Sequence, residues 1–151
     1  MVMSHERLDI VTLGVERLEE MRSLMVLLNP ELSEELLMSR MRQIFSYANY
    51  RCLGLQTTEG RLVGMAGLWE TTRLYSGRQW ELDHVVVDPS YRGSGVGSML
   101  EAEICRMALE EDCQSLELNT YVRSPRAHKF YMGQGYDIIG FHMIKRLGPQ
   151  S

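Results

Sequence analysis

The run VVVDPSYRGSGVGSML, Val85 to Leu100, sets a strand, a glycine loop and a helix start in immediate succession. Three β-branched residues favour extended backbone, and without period-2 alternation they predict a strand covered on both faces and central in its sheet. Asp88-Pro89 ends that strand. Gly93, Gly95 and Gly97 then alternate with small residues behind Arg92. From Ser98 to Glu111 the pattern is helical, with Leu100, Ile104 and Met107 on one face and Glu103, Arg106 and Glu110 on another. A strand passed through a tight loop into a helix is the joint of an α/β fold.

Two common glycine templates fail on this loop. A phosphate-binding G-x-x-x-x-G-K-[ST] needs a lysine that does not follow these glycines, and a dinucleotide-binding G-x-G-x-x-G would need glycine at Ser98 or Leu100. What stands is R-x-x-G-x-G, from Arg92 through Gly95 to Gly97. Residues without side chains let a ligand approach the backbone and let φ turn positive. Amides of such a loop converge on anionic oxygens, the following helix adds the positive end of its dipole, and Arg92 adds a fixed charge with two parallel donors. The pattern describes an anion cradle.

The rest of the chain alternates in the same manner. Leu8 to Leu13 reads as a strand. Leu18, Met21, Met25 and Leu28 follow at helical spacing. Asn29-Pro30-Glu31 reads as a stop and restart, with Asn29 as cap, before a second helix marked by Leu37, Met41, Ile44 and Ala48. A hairpin turns at Glu59-Gly60, and YSGR turns the chain again into QWELDHVVV. SLELNT is a strand, Ser124-Pro125 caps and opens a short helix to about Met132, and YDIIGFHMIKRL is expected to supply one or two final strands. The expected fold is α/β: a twisted, mostly antiparallel mixed sheet of six to seven strands flanked by about four helices, forming one domain over residues 1–151.

Composition narrows the class. Hydrophobic residues make up 44% and the formal net charge is −4. That balance suits a soluble domain and opposes a nucleic-acid partner, which needs clustered Lys and Arg. Three cysteines with no C-x-x-C spacing suggest neither a disulfide framework nor a metal site. No apolar leader and no run of membrane-spanning length occurs, so a cytoplasmic protein without membrane contact is expected.

With these features in place, VVVDPSYRGSGVGSMLEAEICRMALEE resembles the acetyl-CoA-binding motif of the GNAT superfamily, the Gcn5-related N-acetyltransferases. The family's [RQ]-x-x-G-x-[GA] falls on Arg92, Gly95 and Gly97. A second motif, AHKFYMGQGY, is similar to the family's A-x-x-F-Y-x-x-x-G-[FY] at Ala127, Phe130, Tyr131, Gly135 and Tyr136. Ser124 stands where many members carry Asn. The resemblance implies the acyl-CoA N-acyltransferase fold, acetyl-CoA as co-substrate, no metal, and direct acetyl transfer to a primary amine of a small molecule or peptide, by a homodimer. It implies cofactor contacts from Val86, Val87, Arg92, Gly93, Gly95, Val96, Gly97, Ser98, Asn119 and Tyr131. An acyl-CoA-binding regulatory module without turnover is the alternative.

The chemistry asks for two proton handlers, because an amine arrives as an ammonium and the departing thiolate gains from a donor. Tyr131 matches the family's usual general acid; its competing role is core packing. Glu81 and Asp83 lie on one face of the strand entering the loop, since strand side chains alternate. Either is a candidate base. By the same alternation His84 should point to the opposite face, as a packing or supporting residue. The methionines of Leu18 to Ala48, the segment that forms the acceptor groove in the family it resembles, read as core, with an adaptable apolar pocket as the alternative, and Trp69, Tyr75 and Trp80 as cross-strand packing or the wall of a groove.

Overall fold

The structure is a computed structural model and describes residues 6–149. The chain divides after Leu118 into two compact units. The first contains β1 (Leu8–Leu13), α1 (Leu18–Leu28), α2 (Glu34–Phe45), β2 (Tyr50–Thr57), β3 (Leu62–Arg73), β4 (Gly77–Val87), α3 (Val96–Glu110) and β5 (Ser115–Leu118). Its sheet runs β1-β2-β3-β4-β5. The first three pairings are antiparallel and the last, β4 with β5, is parallel.

Local chemistry sets the turns. Gly60 at φ +87 closes the β2–β3 hairpin, and Gly77 at φ +74 closes the β3–β4 hairpin. Both backbones are left-handed, where a side chain would strain the turn. Helix packing then covers the sheet. Leu18, Met21, Leu24 and Met25 of α1 and Leu37, Met38 and Met41 of α2 are buried in one cluster with Leu13, Cys52, Met65 and Val86. Each fully buried side chain of this size stabilises by about 1.5–3 kcal/mol. These methionines are therefore core. On the opposite face α3 packs against β4 and β5 and buries Val96, Leu100, Ile104 and Ala108.

Four local expectations change. The cap of α2 is Ser33, whose hydroxyl accepts from Leu36 N–H at 3.2 Å, so the restart comes after Asn29-Pro30 rather than on it. The helix after the glycine loop begins at Val96. In the second unit, α4 (Pro125–Gly133) opens at Pro125 as expected, but the Ser124 side chain makes no cap bond. The expected final strands do not form: among the described residues the sheet has five strands rather than six or seven. A strand exists through its ladder partner, and 137–149 has none in the sheet. Ile138, Ile139, Phe141, Met143 and Ile144 accordingly stay exposed.

Candidate active site

The sheet is interrupted where the valine run begins. β5 pairs with β4 only from Gln79 to Leu82. Beyond Leu82, β4 continues to Val87 with β3 on one side and, among the described residues, no strand of the sheet on the other. Val86 is buried while Val85 and Val87 are half-buried, so the valines are less enclosed than a central strand would be. This open edge leads into the glycine loop.

Gly93 has φ +78 and Gly95 φ +83, and a Cβ added to either would meet nothing within 4 Å. Gly95 is the N-cap of α3, and no side chain caps that helix. The first amides of a helix have no intrahelical partner. Here they follow a loop left open at Gly93 and Gly95, the arrangement that binds anionic oxygens. Arg92 is exposed, and its Nε donates to the Val87 carbonyl at 3.3 Å, tying the guanidinium to the end of β4. Asp88 steadies the entry by accepting from Ser90 N–H at 2.9 Å and pairing with Arg61 at 2.9 Å.

A second feature lies at the head of the open edge. Gly67 pairs with Asp83 and Met65 with Val86, so His84 and Val85 together face the single residue Ala66. This is a β-bulge, which re-aims side chains. His84 takes φ +36, uncommon for a non-glycine residue. The imidazole consequently joins Asp83 instead of leaving it: His84 Nδ1 is 3.3 Å from Asp83 Oδ2, and Nε2 is 2.5 Å from the Tyr50 hydroxyl. Trp69 Nε1 donates to Asp83 Oδ2 at 3.1 Å. Bonded by His84 first and by Trp69, the Asp83 carboxyl is held down at about 2. Burial pushes the Tyr50 phenol above its ordinary value. The space for this cluster comes from Gly67, where a Cβ would run into His84 Nε2 and the Tyr50 hydroxyl.

Glu81 and Asp83 share a face of β4, as alternation requires. Glu81 lies 3.7 Å from Arg73. Glu117 of β5 is its register partner and accepts from the Tyr75 hydroxyl at 2.9 Å. Three carboxylates therefore share one face of two neighbouring strands. Sequence reasoning missed Glu117, Tyr50 and the turn of His84. Only the β3–β4 register and the small residue at Gly67 could have pointed to the last of these.

In the second unit, the Tyr131 ring packs edge-on against Phe130 and Tyr136, at centroid distances of 5.1 and 5.4 Å. Tyr136 N–H donates to the Tyr131 carbonyl across Gly135, which has φ +94. Asn119 also belongs to this unit and is exposed. Thus the loop residues, Val86, Val87, Glu81 and Asp83 lie in the first unit, and Asn119 and Tyr131 in the second. Among the described residues no group of three or more His, Cys, Asp or Glu could hold a metal ion, and no helix is long and apolar enough to cross a membrane.

The model of the Acetyltransferase (GNAT) family matches residues 18–136, which take in both the glycine loop and the Tyr131 helix. The chain belongs to the GNAT family. An aminoalkylphosphonate N-acetyltransferase of Salmonella typhimurium is 33% identical over 95 residues, 62% of this chain and 61% of that protein. A glucosamine 6-phosphate N-acetyltransferase of Trypanosoma brucei brucei is 33% identical over 79 residues, 51% and 52% of the two chains. The match thus spans about half to three fifths of these curated relatives. The GNAT fold extends further: an aminoglycoside N-acetyltransferase solved with CoA superposes at TM-score 0.80, with 19% identity, over 97% of this chain and 98% of that one. An acetyltransferase of Trypanosoma brucei, 25% identical, superposes at 0.73 over 93% and 100%.

Proposed function

We propose that this GNAT chain is an acetyl-CoA-dependent N-acetyltransferase, one domain over residues 1–151, that acetylates a primary amine. The observation that carries the reading is the strand–loop–helix cradle with Gly93 and Gly95 open and left-handed. The glycine surface and helix amides fit a pyrophosphate, and the proposed contacts of acetyl-CoA as a whole are Val86, Val87, Arg92, Gly93, Gly95, Val96, Gly97, Ser98, Asn119 and Tyr131. Bound acetyl-CoA would supply the acetyl group as a thioester. Tyr131 is the proton donor to the leaving sulfur, and the face of Glu81 and Asp83 receives the amine. Carboxylates attract an ammonium, which favours a cationic small-molecule or peptide amine over nucleic acid. The relatives' names, aminoalkylphosphonate and glucosamine 6-phosphate, each describe an amine-bearing acceptor. The reading includes a cytoplasmic homodimer, for which the exposed apolar residues between Ile138 and Leu147 offer surface.

The test incubates the protein with acetyl-CoA and these amines, an aminoglycoside and lysine peptides. Free thiol is followed and products are weighed by mass spectrometry. Thiol release that depends on one amine, with that amine acetylated, is expected. Tight acetyl-CoA binding without turnover of any amine would instead indicate a binding module.

A further inference from the structure

The acceptor's proton needs a route, and the bulge on β4 gathers a phenol, an imidazole and a carboxylate at the open edge. We propose that Tyr50 and His84, oriented by Asp83, form a proton relay that takes the proton from the acceptor ammonium. This rests on the acetyltransferase reading and assigns its base.

The geometry is a chain of three close polar contacts, the outer two of them hydrogen bonds. The Tyr50 hydroxyl oxygen lies 2.5 Å from His84 Nε2, and the relay requires the tautomer in which the phenol donates and the imidazole N–H stands on Nδ1. That N–H faces Asp83 Oδ2 at 3.3 Å, and Asp83 is fixed in turn by the Trp69 indole at 3.1 Å. The phenol oxygen keeps lone pairs to accept a further hydrogen bond. When an ammonium donates there, its N–H bond breaks and a proton joins the Tyr50 oxygen. The original Tyr50 proton passes to His84 Nε2. The products are a neutral amine, a neutral phenol and an imidazolium facing a carboxylate. Charge and atoms balance, and no free phenolate forms.

Three further observations support the assignment. The His84 backbone is left-handed at φ +36, a strained state that persists only where the surroundings hold it. His84 stands two residues past the point where β4 loses β5, beside the open edge that runs to the cradle. Asp83 is held in place from a second side by the Trp69 indole, which suits it to orient the imidazole. The ionisable groups around the relay are Asp83 against His84, and Cys52 and Asp83 against Tyr50.

The experiment has two arms. Tyr50→Phe and His84→Asn, the latter tolerant of left-handed backbone, are assayed against wild type for kcat/KM over pH with the best amine of the panel above. A loss of ~10²-fold near neutral pH is expected in both, at unchanged acetyl-CoA affinity. The residual rate should climb with pH as the amine deprotonates itself, and an amine already neutral at the assay pH should restore most of it. Variants that keep the wild-type pH profile overturn the relay, as does Glu81→Gln taking the loss in their place. The second arm needs no turnover. Nitrogen NMR of the free protein should find the neutral His84 proton on Nδ1, with the Nε2 signal moving in Tyr50→Phe; a proton on Nε2 overturns the relay. Wild type that binds acetyl-CoA yet acetylates no amine defeats the acetyltransferase reading and the relay with it. Active wild type with unaffected variants defeats the relay alone.

Discussion

At the scale of single residues, Asp83 shows how little of a side chain's role is set by its own chemistry. Its carboxyl sits at about 2 against an ordinary 3.8, chiefly through the His84 bond. A depressed value stabilises the fold above the ordinary pKa, and that contribution is lost as pH falls through about 2. The side chain is 51% exposed, so solvent screening cuts the effect to roughly 1 kcal/mol. Urea unfolding should therefore find Asp83→Asn less stable than wild type by about that amount at pH 7, with the gap closing toward pH 2. Tyr131 is tested through kinetics. Tyr131→Phe keeps the ring that packs on Phe130 and Tyr136 and removes only the hydroxyl. If the phenol protonates the leaving sulfur, kcat should fall ~10²-fold with acetyl-CoA affinity kept, because the loss falls on the transition state. A wild-type kcat with chemistry rate-limiting would make Tyr131 a packing residue. Residues of this kind were legible to different degrees. Glu81 and Asp83 could be placed on one face by alternation, since no bulge intervenes between them. His84 could not, because its direction depends on Gly67 and Tyr50, which stand 17 and 34 positions earlier in the chain.

Elements were readable where their ends carry local chemistry. The glycine loop could be read because a left-handed N-cap at Gly95 is a requirement on one residue, visible in one residue. Gly95→Val should abolish acetyl-CoA binding in calorimetry while circular dichroism stays native. The valine resists positive φ and fills the approach to the helix amides, yet meets no neighbour that would disturb packing. The cap of α2 is ambiguous in the sequence because Asn29-Pro30 and Ser33 both carry start signals, and only the Leu36 N–H bond decides between them. Ser33→Ala should lower the unfolding free energy by ~1 kcal/mol, read from the shift in denaturant midpoint at constant slope. The segment YDIIGFHMIKRL fails for the opposite reason. Its composition says extended, but a strand needs a neighbouring edge, and no local pattern names one.

At the scale of the whole molecule, the layout of helices over both faces of a mixed sheet followed from periodicity, and the order of its elements from turn signals. The length of β5 did not, since four residues in a parallel pair leave little trace in composition. A ligand that binds the native state alone raises its stability, by ~2.7 kcal/mol at a hundredfold excess over Kd. Acetyl-CoA should accordingly raise Tm, while NAD and ATP at the same concentration should not. A flat response to millimolar acetyl-CoA would remove the cradle assignment.

The short reach of β5 has one more consequence. From Asp83 to Val87, β4 is half of a ladder, with β3 bonded along one border and, among the described residues, no strand of the sheet on the other. That outward border is of the kind to which an extended chain can add itself as a strand. A ligand with peptide-like amides running along this border would be a surrogate strand, bound by backbone as much as by side chains. Hydrogen exchange would record that as a footprint: a few amides between Asp83 and Val87 that exchange quickly in the free protein and slow down on binding, while those bonded to β3 do not change.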